Sequence, residues 1–273
     1  MMTTTPTVPG AAFTEHAVGA DGFTIRYFEA GEGDALVVLH GAGGPVFSLA
    51  LDTLADRYRV ILFEMPGFGD QPNDRHQSLA EMAATIDAAT RALGLEFYHL
   101  LGTSFGGAVA THLALDHSER LASLVLEAPA TFRVGSTPPG PHLAPDEMRR
   151  MFRRHPERIP AWQPPDPSAA ARVWPLVGRL LAETPEYDEQ LVARLSTCQV
   201  RTLVVFGDYD GVTPPDNGRV FRRHMPNSHY VLVHDAAHDI QADRPESFAD
   251  VVGDFLARGW QFALPEESTL INP

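Results

Sequence analysis

The chain has 273 residues, 44% of them hydrophobic, which is enough for one sizeable core and favours a single domain with an insertion over two domains. Acidic side chains outnumber basic ones, and the formal net charge of -14 at pH 7 repels phosphate backbones and anionic lipid, so neither nucleic acid nor a membrane surface is an expected partner. No lysine occurs, which excludes a lysine Schiff base and a P-loop lysine, and the single cysteine, Cys198, excludes an intramolecular disulfide.

Residues 1–12 are rich in Thr, Pro and Gly and are expected to fray. They lack a basic region followed by an apolar stretch, and no run is long enough to span a bilayer, so a cytoplasmic location is expected. Residues 14–29 read as a β-hairpin turning at Asp21-Gly22. Short apolar runs then alternate with helical patterns. Residues 36–39 and 60–63 read as buried strands, with a helix-like stretch over 46–56 between them. Residues 78–93 carry the clearest helix: Ser78 and Glu81 have capping-box spacing, and Leu79, Met82, Ala83, Ile86 and Leu93 share a face.

A strand over 98–101 leads into Gly102-Thr103-Ser104-Phe105-Gly106-Gly107, and a helical run follows over 106–115. Glycines on both sides of a serine permit a sharp turn that lifts its hydroxyl clear of the backbone. The helix starting there aims free N–H groups at any negative charge forming beside it. Further apolar strands lie at 124–126, 203–206 and 230–233, and a final helix starts near Pro245 with Phe248, Val251, Val252 and Phe255 facing inward. Continuous apolar strands separated by helices imply a mainly parallel sheet covered on both faces, with ligands outside the carboxyl ends of its strands.

Between 132 and 198 this rhythm breaks. Prolines at 138, 139, 141, 145, 160, 164, 165 and 167 punctuate the stretch, with helical pieces near 146–155 and 169–183. It reads as an inserted cap (132–198) on a core made of 1–131 and 199–273, because so long a structureless loop is uncommon in a compact domain. Met148, Met151, Phe152, Trp162 and Trp174 are candidates to line an apolar pocket. Arg149, Arg150, Arg153 and Arg154 form a basic run, read as a solvated helix face or, more sharply, as a contact for a substrate carboxylate. The tail after Gly259 is either disordered or anchored by Trp260 and Phe262.

A serine nucleophile needs a general base, and histidine titrates in the useful range. The histidine needs a carboxylate to fix its tautomer and stabilise the imidazolium. Two segments at strand ends carry these groups: Gly207-Asp208-Tyr209-Asp210-Gly211-Val212-Thr213-Pro214 and Ala236-Ala237-His238-Asp239. Ser104, Asp210 and His238 follow one another in the chain order of a nucleophile-elbow hydrolase. Asp208 and Glu127 are rival carboxylates, Glu127 because it ends the strand after the serine helix.

From about residue 14 to 258 the chain resembles the α/β-hydrolase superfamily. Besides the serine turn, His40-Gly41-Ala42-Gly43-Gly44 resembles its oxyanion loop, and Glu64-Met65-Pro66-Gly67-Phe68-Gly69 resembles the turn after the next strand. Residues 207–214 are similar to its acid loop, which places the acid on Asp210, and His238 with Asp243-Arg244-Pro245-Glu246-Ser247-Phe248 resembles its histidine loop. The resemblance implies a mostly parallel eight-stranded sheet flanked by helices, with a small helical cap. It implies a Ser104-His238-Asp210 triad, an oxyanion hole of the Ala42 and Phe105 backbone N–H groups, and no metal or cofactor. The expected activity is hydrolysis of a small or medium carboxylic ester, thioester or lactone. Hydrolysis of a carbon–carbon bond in a vinylogous diketone, a cofactor-free haloperoxidase-like reaction and a receptor-like binding role are alternatives. The substrate and the oligomeric state are not legible.

Overall fold

The computed structural model describes residues 8–138, 144–158, 167–182, 184–264 and 269–271. Strands β1 (Thr14–Ala20) and β2 (Phe23–Ala30) form the expected hairpin. Asp21 and Gly22 at its tip both take positive φ, 47° and 74°, as a tight two-residue hairpin turn requires. There follow β3 (Ala35–Leu39), α1 (Leu49–Ala55), β4 (Arg59–Phe63), α2 (Leu79–Ala92), β5 (Tyr98–Thr103), α3 (Phe105–Asp116) and β6 (Leu121–Glu127). Helices α4 (Pro145–Phe152), α5 (Pro167–Ala182) and α6 (Glu189–Leu195) intervene before β7 (Thr202–Gly207), α7 (Gly218–His224), β8 (Ser228–Val233), α8 (Ile240–Asp243), α9 (Pro245–Arg258) and β9 (Thr269–Ile271).

The strands lie in the order β1-β2-β4-β3-β5-β6-β7-β8-β9. The pairs β1·β2 and β2·β4 are antiparallel, and every later pair is parallel. All eight strands expected from the sequence are present. The tail adds a ninth, three residues long, pairing along β8, with Phe262 buried against Phe255 and His229 behind it. Trp260, the other proposed anchor, is 73% exposed.

Side chains alternate across the central strands. On β3, Val37 and Leu39 join the layer that includes Ala83 and Ile86 of α2 and Val109 and Leu113 of α3. Leu36 and Val38 join the opposite layer with Leu51 of α1 and Val252 and Phe255 of α9. This two-sided burial is why these strands read as unbroken apolar runs and not as alternating ones.

Capping sets the helix starts. Ser48 accepts from the Leu51 N–H, so α1 begins at 49 and not at 46. Ser78 accepts from the Glu81 N–H at 3.2 Å, but the Glu81 carboxylate reaches back to the N–H of Gln77, one residue earlier than the capping box predicts. Three helices were not expected: α6, α7 and α8, of seven, seven and four residues. Asp188 caps α6 through the N–H groups of Gln190 and Leu191. Leu191 and Leu195 then reach the core layer of α2 and α3.

Candidate active site

Ser104 sits between β5 and α3 with φ 52° and ψ -114°, a conformation that a side chain adopts only under constraint. Its neighbours supply the constraint. A Cβ on Gly106 would drive into the carbonyl oxygens of Leu39 and His40, and one on Gly102 would drive into the first turn of α3. The Ser104 N–H donates to the Glu127 carbonyl at 2.8 Å, and the Ser104 carbonyl accepts from Ala108 and Ala130.

His238 lies on the turn between β8 and α8, and Asp210 on the loop after β7. The three side chains form one chain of hydrogen bonds. Ser104 Oγ lies 2.9 Å from His238 Nε2, and His238 Nδ1 lies 2.8 Å from Asp210 Oδ2. The second Asp210 oxygen accepts from the Val212 and Thr213 N–H groups at 2.8 and 2.9 Å, which fixes the carboxylate before it meets the imidazole. The His238 and Asp210 side chains are 4% and 0% exposed. Burial by itself pushes the His238 pKa down. The Asp210 carboxylate, by charge and hydrogen bond, with Glu127 and Asp239 beyond it, overrides this and raises it.

The rival carboxylates point elsewhere. Asp208 binds His234 and the Asp235 N–H. Glu127 is fully buried, held by Thr103 and Gln241, and makes no contact with His238 Nδ1.

The loop at 41–44 lies beside the serine, with the space for a Gly41 Cβ only 3.5 Å from Ser104 Cβ. His40 holds this loop. Its Nδ1–H donates to the Gly41 carbonyl at 2.6 Å, and its Nε2 accepts from the Met65 N–H at 3.0 Å. Burial pushes its pKa down to about 4, so it stays neutral and structural. Among the described residues, no protein acceptor meets the N–H of Ala42 or of Phe105.

The stretch between β6 and β7 reaches the site through α4. The Phe152 ring stands edge-on to the His238 imidazole, centroids 5.4 Å apart. The Phe152 carbonyl accepts from the Asp239 N–H, and the Met151 carbonyl accepts from the Gly211 N–H. Arg153 donates to Asp239 at 2.8 and 2.9 Å. Of the other arginines in the basic run, Arg154 pairs with Asp235 and Arg149 with Asp146. Leu176 of α5 packs onto Gly67 in the turn after β4. Trp174 faces outward, 45% exposed. Trp162, with the prolines at 139, 141, 160, 164 and 165, lies outside the described residues. Among the described residues, no group of three or more His, Cys, Asp or Glu could hold a metal ion, and no helix is long and apolar enough to cross a membrane.

A family model described as alpha/beta hydrolase fold matches residues 34–174, more than half of the chain, and one described as TAP-like protein matches residues 179–265. The chain belongs to the α/β-hydrolase family. It is similar to the pimeloyl-(acyl-carrier protein) methyl ester esterase of Aeromonas hydrophila, at 31% identity over 83% of this chain and 96% of that protein. It is also similar to the 2-hydroxy-6-oxo-6-phenylhexa-2,4-dienoate hydrolase of Comamonas testosteroni, at 26% identity over 86% of this chain and 91% of that one. A solved structure of a serine hydrolase involved in carbazole degradation shares the fold, with a TM-score of 0.76 at 24% identity over 90% of this chain and 99% of its own. This α/β-hydrolase chain is therefore a hydrolase.

Sequence reasoning did not find the parts of the site made by tertiary contact. Thr103 and Gln241 on Glu127, Asp239 on Arg153 and Phe152 on His238 carry no spacing signal, because their partners lie far away along the chain.

Proposed function

We propose that the protein hydrolyses a small or medium carboxylic ester through a covalent acyl-enzyme at Ser104. The observation that carries this reading is the continuous relay from Ser104 Oγ through His238 to Asp210, at 2.9 and 2.8 Å. His238 Nε2 takes the Ser104 proton as the hydroxyl oxygen attacks the ester carbonyl. The negative charge that develops on the carbonyl oxygen is met by the Phe105 and Ala42 N–H groups, each such donor contributing ~3 kcal/mol to the transition state. His238 then gives its proton to the departing alcohol. Water loses a proton to the same nitrogen, attacks the acyl carbon and releases the acid, and His238 returns the proton to Ser104. Nucleophile, base and charge stabilisation all come from the chain, so the reaction calls on no cofactor, and its partner is a small molecule.

The ester class is supported by the methyl ester esterase among the relatives. The dienoate hydrolase among them supports a second reading, in which the same relay cleaves a carbon–carbon bond beside a carbonyl. Both are tested together. Turnover of a short-chain p-nitrophenyl ester by the wild type, its loss in Ser104→Ala and an acyl adduct on Ser104 by mass spectrometry are expected. Faster cleavage of a vinylogous diketone than of any ester would move the assignment to the second reading. Turnover surviving Ser104→Ala would overturn both.

A further inference from the structure

Glu127 has no task in the reaction just described, yet it lies fully buried beside it. Its backbone carbonyl accepts from the Ser104 N–H at 2.8 Å. Its side chain receives three donors: the Thr103 hydroxyl at 2.7 Å, the Gln241 amide nitrogen at 2.6 Å and the Gln241 backbone N–H at 3.1 Å. Thr103 immediately precedes the serine, and Gln241 follows His238 by three residues. The Gln241 carbonyl oxygen in turn accepts from Ser48 at 2.8 Å, the residue that caps α1. One buried group thus joins the serine turn, the end of β6, the histidine turn and the start of α1.

The donor set asks for a carboxylate. Two oxygens accept three converging donors, whereas a glutamine would meet the same donors with one oxygen and add an N–H pair of its own. An ionisable group without solvent is costly unless its charge or its geometry is used. We infer that Glu127 is a positioning residue, whose carboxylate clamps the His238 turn to the Ser104 turn and whose negative charge supports the imidazolium formed when His238 takes the serine proton. This rests on the reading of Ser104, His238 and Asp210 given above.

The charges around the pair are few. His238 is faced by Asp210 from the loop after β7, Glu127 from β6 and Asp239 from its own turn, with Arg153, the residue that follows α4, set against Asp239. Burial, and then the charge of Asp239, push the Glu127 pKa up to about 7. The carboxylates around His238, Glu127 among them, raise its pKa, so the protonation of the two groups is linked through their charges.

The test is the pH dependence of ester turnover by the full-length chain carrying Glu127→Gln, Glu127→Asp or Gln241→Leu, with melting temperatures to confirm folding. Glu127→Gln is expected to lower kcat about tenfold with KM within about twofold, as a misplaced base does. It is also expected to move the acid limb of kcat/KM to lower pH by about half a unit or more, because the imidazolium loses a supporting charge. Glu127→Asp keeps the charge with a shorter reach, so kcat falls while the limb stays. Gln241→Leu loosens the clamp and lowers kcat at constant KM. A Glu127→Gln enzyme with wild-type kcat and limb overturns the inference. So does a Glu127→Asp limb displaced as far as that of Glu127→Gln, or an unchanged kcat in Gln241→Leu should Glu127→Gln not fold. These failures are distinguishable from failure of the underlying reading, which appears separately as ester turnover in Ser104→Ala.

Discussion

Three carboxylates, Asp208, Asp210 and Glu127, sit at the strand ends around His238, and their partners separate them. Asp210 is pinned by two backbone N–H groups and faces Nδ1, so Asp210→Asn is expected to lower kcat by ~10^3 to 10^4, because an amide presents the wrong tautomer partner to the imidazole. Kinetics of Asp210→Asn beside Glu127→Gln check this; a larger loss in Glu127→Gln would reassign the acid. Glu127 also makes a stability prediction. Its pKa is raised in the fold to about 7, above the ordinary 4.5, so its contribution to stability is fully present below pH 4.5 and is lost as pH rises through 7. The difference can reach ~3 kcal/mol. The melting temperature of Glu127→Gln minus that of the wild type is therefore expected to be more positive at pH 8 than at pH 5; a difference that does not vary with pH contradicts it.

At the scale of elements, the acid loop and the histidine turn are both held by the last turn of α4. Arg153→Ala leaves Asp239 without that guanidinium beside His238. The site is partly open, so the destabilisation is expected to be about 2 kcal/mol, below that of a fully buried pair. The imidazole, left with more negative charge nearby, should hold its proton to higher pH, so the acid limb of kcat/KM moves up, opposite in sign to the Glu127→Gln shift. A pH profile coinciding with the wild type would argue against it. Elements differ in how plainly the sequence announces them. The serine turn was legible because close packing at Gly102 and Gly106 leaves a glycine signature. The central strands were legible because burial on both faces makes them uniformly apolar. Helix α6 did leave a signal, Asp188 as cap with Leu191 and Leu195 four apart, but one turn of periodicity is weak evidence beside so many prolines. Strand β9 owes its existence to the edge of β8 and not to its own three residues.

At the scale of the whole molecule, the described residues form one sheet sandwiched between two apolar layers, with Ser104, Asp210 and His238 gathered at one rim. Burial pattern and motif order made that architecture readable. Polar contacts across the rim were unreadable, since Glu127 and Gln241 are 114 positions apart and are joined by folding alone. The net charge of -14 acts at this scale too. Sedimentation with anionic vesicles at physiological salt is expected to leave the protein in the supernatant, since a net negative charge is repelled by a like-charged surface. Recovery in the pellet would point to a surface that the overall charge conceals.

The backbone at position 104 has a thermodynamic corollary. Glycine would occupy that left-handed geometry at ease, while any residue with a side chain is bent to it at a cost of about 1–3 kcal/mol. Ser104→Gly should therefore show a higher melting temperature than the wild type. Ser104 occupies a sprung joint, and the tension that lifts its hydroxyl clear of the backbone is durability forgone.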